Sequence, residues 1–355
     1  MPATTYLNRR AWEISNDQLS VTVSVEGGHI ASIRHKATGV NPLWTPPWPS
    51  MDPSAFSLAK TKEYGDDSES KLLAGILGHN LCLDLFGSPS EEEAAAGMTV
   101  HGEASVVPYA IGEEGGALVM RADLPQAALR LERTIRMNGE IVMIRETVEN
   151  LTAWDRASAW TEHATLGPPF LERGVTQFRA PGTKSKVIEN DFTEGKGLQK
   201  IGAEFDWPLC PRKDRGSIDL RVYAAEPVTA GFTTTMMDPH RDQAFFMAWH
   251  PKWNLLFGYV WKRTDFPWLG RWEENHARIH PPWNGRSLTL GMEFGASPFP
   301  ESRKKMIERG GLFGLPGYRW IPARKRVTVE YAAFARLARV IPDDVVWRDG
   351  KLTFS

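Results

Sequence analysis

Four segments place titratable side chains beside Gly or Pro: Gly78-His79-Asn80 through Asp84 to Gly87; His101-Gly102-Glu103; Trp160-Thr161-Glu162-His163 through Gly167-Pro168; and Gly291-Met292-Glu293-Phe294-Gly295. Each lies at or near the end of a strand-like run, where a rigid scaffold hands over to loops and where catalytic groups concentrate. Burial tunes His and Glu toward neutrality, so these residues can exchange protons with a substrate near pH 7. Each also has a structural reading. Glu293 could pair with Arg286, and His163 could hydrogen-bond Glu162 or backbone. Other chemistries lack their residues: there is no GxxxxGK[ST], no GxGxxG between a strand and a helix, no GxSxG elbow and no HExxH. Metal ligands occur only as scattered pairs such as His79 with Asp84, so neither a metal nor a cofactor is expected.

A second feature is aromatic. Trp249, Trp253, Trp261, Trp268, Trp272 and Trp283 fall in one short window, interleaved with His250, Arg271, Glu273, Glu274, Asn275 and Arg278. Sugars present apolar C–H faces with a rim of hydroxyls, and aromatic platforms with polar groups around them bind both. Trp249 and Trp261 lie in apolar strand runs and are assigned to the core. Trp268, Trp272 and Trp283 lie among Pro, Gly and charged residues. With Arg271 they are the candidate wall of a sugar cleft.

The elements that must hold these groups are mostly strands. Leu19–Val25 alternates, breaks at Gly27-Gly28 and resumes at Ile30–Ile33, which predicts a hairpin. Leu129–Ile135 and Ile141–Ile144 flank Asn138-Gly139, a strong short hairpin signal. Phe245–Trp249 and Leu255–Trp261 make a further antiparallel pair, and Val327–Tyr331 alternates as well. Helix signals are few: Ser90–Gly97, with a Ser cap and an acidic first turn, and a turn or two at Arg303–Arg309. Residues 41–71, rich in Pro and then polar, form a long loop or cover. The expected fold is all-β, one large antiparallel sandwich spanning residues 1–355 with a few short helices.

The chain has 355 residues, 42 basic and 43 acidic. That balance speaks against a nucleic-acid partner, which would show a basic excess. No run approaches the ~18 apolar residues of a membrane helix. The two cysteines, Cys82 and Cys210, form no CxxC pair, and the N-terminal MPATTYLNRRAWEIS has no signal-peptide pattern. A cytoplasmic location is therefore expected.

Taken in order, the segments resemble those of the galactose mutarotase-like superfamily, whose best known members are the aldose 1-epimerases. His101-Gly102 is similar to the first His segment, and Arg133 through Glu149-Asn150-Leu151-Thr152 to a long hairpin with an Asn-containing end. Trp160-Thr161-Glu162-His163 is similar to the second His segment, and Leu288 through Glu293 to the late Glu strand. The likeness spans residues 20 to 335. His163 is followed by Ala-Thr-Leu-Gly where the epimerases usually have Pro-Tyr-Phe, and Glu293 by Phe-Gly where they have Thr-Gln. The early sugar-binding Arg has no match, and His79 or Asn80 stands in its region. The resemblance implies a large β-sandwich that interconverts sugar anomers without a cofactor. In it Glu293 is the base and His163 the acid, while His101 hydrogen-bonds the ring oxygen or supports the acid. His79, Asn80, Trp268, Arg271, Trp272 and Trp283 are the expected substrate contacts, and a small sugar is the expected partner.

Two other functions compete. One is a non-catalytic carbohydrate-binding protein on the same fold. The other is a different carbohydrate enzyme, such as a polysaccharide lyase using Tyr109 and Arg136. Arg263, Arg271, Arg278 and Arg286 leave a phosphorylated sugar open.

Overall fold

The computed structural model describes residues 3–355. Among these, most strands join two antiparallel sheets, one of twelve strands and one of eight. The expected hairpins are present. Leu19–Ser24 pairs with Ile30–His35, and Leu129–Asn138 pairs with Ile141–Asn150 around a turn in which Gly139 takes φ +57°. Gln243–His250 pairs with Leu255–Lys262, which in turn pairs with Arg326–Leu337. The α-helices are short: Glu91–Ala95, capped reciprocally by Ser90 and Glu93; Arg303–Arg309; and Ser70–Gly75, which falls at the end of the expected cover segment. No helix of the described residues is long and apolar enough to cross a membrane.

The large apolar core lies between the sheets, with Leu19, Val21, Leu131, Ile144, Phe257, Tyr259, Trp261 and Phe294 all buried in it. Trp261 is therefore a core residue. Trp249 is buried on the other side of its sheet, against the C-terminal hairpin, where its indole N–H donates to the Ala338 carbonyl.

The twelve-stranded sheet carries the site. In its middle, His79–Asp84, Arg156–Leu166, Leu288–Gly295, Trp268–Asn275 and Thr229–Met237 lie side by side. One face of these strands meets the inter-sheet core. The other is covered by the segment before His79 and by the loops after Asp84, Val187 and Asn275. Trp44, Trp48, Tyr64, Leu72, Leu73 and Trp283 form a separate apolar cluster within that cover. Arg9 pins the cover down: its buried guanidinium donates to Asp52, to the Gly75 carbonyl and to the Glu26 carbonyl.

Candidate active site

Strand register sets the constellation. His163 is paired directly with Glu293 on one side and with Asn80 on the other. Glu293 is paired in turn with Gly270, and Gly270 with Thr234. Directly opposed residues in antiparallel strands share a face, with Cβ atoms about 4.5–5.5 Å apart. The row Asn80, His163, Glu293, Gly270 therefore points outward together. His163 Nε2 lies 2.9 Å from Glu293 Oε1, both side chains are nearly buried, and His163 Nδ1 lies 2.8 Å from Thr165 Oγ1.

His101 reaches the same place from a loop. Its ring centre is 5.0 Å from that of His163. The turn that carries it needs glycine next: Gly102 has φ +76°, and a Cβ there would fall 2.1 Å from the Leu83 carbonyl oxygen. This close approach presses His101 onto the strand His79–Asp84, where Asn80 Nδ2 lies 3.2 Å from His101 Nδ1. Burial, then the charges of His163, His29 and Arg278, hold His101 well below the ordinary histidine range.

A cavity of about 250 Å³ is lined by His101, His163, Glu293, Trp272 and Trp283. The Trp272 ring stands edge-on to His163 at 5.8 Å and to Trp283 at 6.0 Å. Trp283 is stacked on Trp44 at 6.0 Å. Phe86, Ile188, Phe192 and Phe232 extend the apolar lining, and Asn190, Ser88, Glu69 and Arg278 add polar groups. The Arg278 guanidinium lies 4.7 Å from the Trp283 ring and donates to Glu69. Among the described residues, no group of three or more His, Cys, Asp or Glu is placed to hold a metal ion.

Glu293 owes its position to the absence of side chains around it. A Cβ on Gly291, two residues earlier on the same face, would lie 2.3 Å from Glu293 Oε1; one on Gly270 would lie 3.2 Å from Oε2. Gly291→Ala is expected to push the carboxylate off His163 and to lower any acid–base activity by ~10²-fold, the scale on which a 1 Å misplacement acts. Activity of Gly291→Ala at the wild-type level would remove Glu293 from the chemistry.

Four expected contacts are placed differently. His79 precedes Asn80, so it points to the opposite face, fully buried between Tyr259 and Glu162 (2.9 and 2.8 Å). Asn80 is on the site's face, but its amide is spent on His101 and Ser105 and does not line the cavity. Arg271 alternates with Trp272 and faces the core side, buried against Glu273 at 2.8 Å. Trp268 is on the correct face but is roofed over: its indole donates to the Pro316 carbonyl, and it is fully buried. Glu293 makes no pair with Arg286, and Glu162 lies on the face opposite His163, so neither structural reading given for Glu293 and His163 applies. Tyr109 is buried on the Ala104 carbonyl and Arg136 caps the Gly115 carbonyl, so neither lyase candidate reaches the cavity. Of the four arginines weighed for a phosphate, only Arg278 lines it.

The sequence reading missed Phe86, Phe192, Phe232 and Glu69. Phe232 had a signal, an aromatic within the Thr229–Met237 strand, but only its register opposite Trp272 brings it to the cavity.

No protein-family model and no curated protein matches the sequence. The fold does match solved structures. A candidate aldose 1-epimerase from Klebsiella pneumoniae superposes with TM-score 0.66 at 15% identity, over 93% of this chain and 80% of that one. A galactose mutarotase-like protein from Clostridium acetobutylicum gives 0.61 at 10%, over 95% and 98%. One from Lactobacillus casei gives 0.58 at 13%, over 92% and 100%. The chain therefore has the galactose mutarotase-like β-sandwich fold, in a form far diverged in sequence.

Proposed function

We propose that this protein is an aldose 1-epimerase-like enzyme that opens and recloses the cyclic hemiacetal of a small sugar. The observation that carries this reading is the contact between His163 and Glu293 on the wall of an aromatic-lined cavity, with His101 beside them. Glu293 takes the proton of the anomeric hydroxyl while His163 delivers one to the ring oxygen. The bond from the anomeric carbon to the ring oxygen breaks and leaves an open-chain aldehyde. Rotation about the adjacent carbon–carbon bond exposes the other carbonyl face. Closure then reverses both proton transfers, so the protein ends as it began and no cofactor is consumed. Trp272, only half-buried, offers a flat surface for the sugar's C–H face, and Trp283, fully buried against Trp44 and Arg278, backs it. A free cytoplasmic sugar is the partner this reading calls for.

The direct test mixes the protein with single anomers of a panel of aldoses and follows equilibration by polarimetry or NMR, with saturation-transfer spectra on the same samples. Acceleration of at least one aldose over buffer is expected. A sugar that binds without acceleration would leave a carbohydrate-binding protein on this fold.

A further inference from the structure

Beneath His101, three groups form a directional chain. The Ser105 hydroxyl lies 2.7 Å from the Leu81 carbonyl oxygen, which can only accept, so Ser105 Oγ donates there. With its proton committed, Ser105 Oγ accepts from Asn80 Nδ2 at 3.1 Å. That fixes which end of the Asn80 amide faces this way, and the second Nδ2 hydrogen meets His101 Nδ1 at 3.2 Å. Asn80 is fully buried, and its Oδ1 finds no partner, so the amide is anchored through its Nδ2 alone.

We propose that Asn80 is a positioning residue that fixes His101 as a neutral imidazole, Nδ1 accepting and Nε2–H presented to the cavity. His101 then serves only as a hydrogen-bond donor to the substrate and takes no part in proton transfer. His163 is held the other way: its Nε2 faces the Glu293 carboxyl and its Nδ1 faces Thr165 Oγ1. The two neighbouring histidines are thereby given different tasks by their opposite ring nitrogens. The charged and titratable groups around His101 agree with a neutral ring, since His163, His29 and Arg278 all disfavour a second positive charge. His29 supports the same turn. It accepts the Leu77 N–H at Nδ1 and donates from Nε2 to the Ser105 carbonyl.

The role of Asn80 in catalysis rests on the proposed function, but the tautomer does not, and the test separates them. Long-range ¹⁵N–¹H spectra of the wild-type protein with labelled histidine should show His101 protonated at Nε2 and bare at Nδ1, unchanged from pH 6 to 8. A His101 found protonated at Nδ1, or titrating in that range, overturns the proposal whether or not the protein is an enzyme. Asn80→Asp replaces the donor with an acceptor, so it should move the proton to Nδ1 and raise the pH at which His101 ionises. Where a sugar is turned over, kcat should fall by about ten- to a hundredfold, the scale seen for partners that orient a functional histidine. The fall should come with an altered pH profile, which a merely structural defect would leave unmoved. Should Asn80→Asp fail to fold, Ser105→Ala frees the amide and should give a mixture of His101 tautomers. A single Nε2–H tautomer in Ser105→Ala would overturn the chain as its cause.

Discussion

Glu293→Gln is expected to lower anomer equilibration by ~10²–10⁴-fold, the usual contribution of one general acid–base group. Sugar binding should change far less. The amide keeps the shape of the carboxylate and can still hydrogen-bond the anomeric hydroxyl, but it cannot take the proton. The ground-state sugar is neutral and closed, so the proton transfers act on the transition state alone. The loss should therefore fall on kcat and kcat/KM together, with KM little moved. The surroundings favour a clean reading: Glu293 is flanked by Gly270 and Gly291, so the variant meets no new side chain on either side. Gln would also lose the charge opposite His163 Nε2, at 2.9 Å in the native protein. Unchanged equilibration in Glu293→Gln would sink the assigned mechanism.

The grouping of His101, His163 and Glu293 was legible in the sequence, but the orientation of their neighbours was only partly so. His101, His163 and Glu293 stood out because each sits near glycine in a recognisable order of segments; strand pairing brings His163 to Glu293, and a loop brings His101 to them. His79 and Asn80 could not be told apart. A half-buried strand alternates apolar and polar residues and so reveals which side faces in. The strand His79–Asp84 is buried at every position, with core on one side and cover on the other. The same double burial hid the split between Arg271 and Trp272, and the hairpin that roofs Trp268 lies more than forty residues further on. The helix Ser70–Gly75 escaped for a local reason: no side chain caps its start, and it follows a polar run. In contrast, Glu91–Ala95 announces itself through Ser90 and Glu93.

Arg133→Met is expected to destabilise the fold by ~3–5 kcal/mol, the cost of leaving buried charge without its partner. Behind the site, between the sheets, Arg133 donates to Glu146 at 2.6 Å and lies 3.7 Å from Glu162. Tyr331 bridges both carboxyls, Trp160 donates to them from its indole nitrogen, and His79 closes the cluster on Glu162, all without solvent contact. Without the guanidinium, two carboxyls remain against neutral partners. Burial, opposed by Arg133 and reinforced by Glu162, already holds Glu146 up at about 7. Glu146 therefore keeps its proton in the folded state over a range where the unfolded chain has released it. Its stabilising contribution is full below the ordinary carboxylate value and is lost as pH rises toward 7. Removing Arg133 takes away an influence that lowers Glu146, so the variant should depend more steeply on pH in the same sense. Its deficit should be largest near pH 8 and should shrink toward pH 5, as Glu146 takes up its proton. His29, buried neutral with its value pushed down to about 3, makes both proteins less stable in acid, because the unfolded chain gains a proton there first. The difference between wild type and variant is the quantity to follow, by urea unfolding at several pH values. A deficit that grows on acidification would show that Arg133 does not neutralise these carboxyls. The row Asn80, His163, Glu293, on the other side of the same strands, would then owe nothing to this cluster for the outward aim of His163.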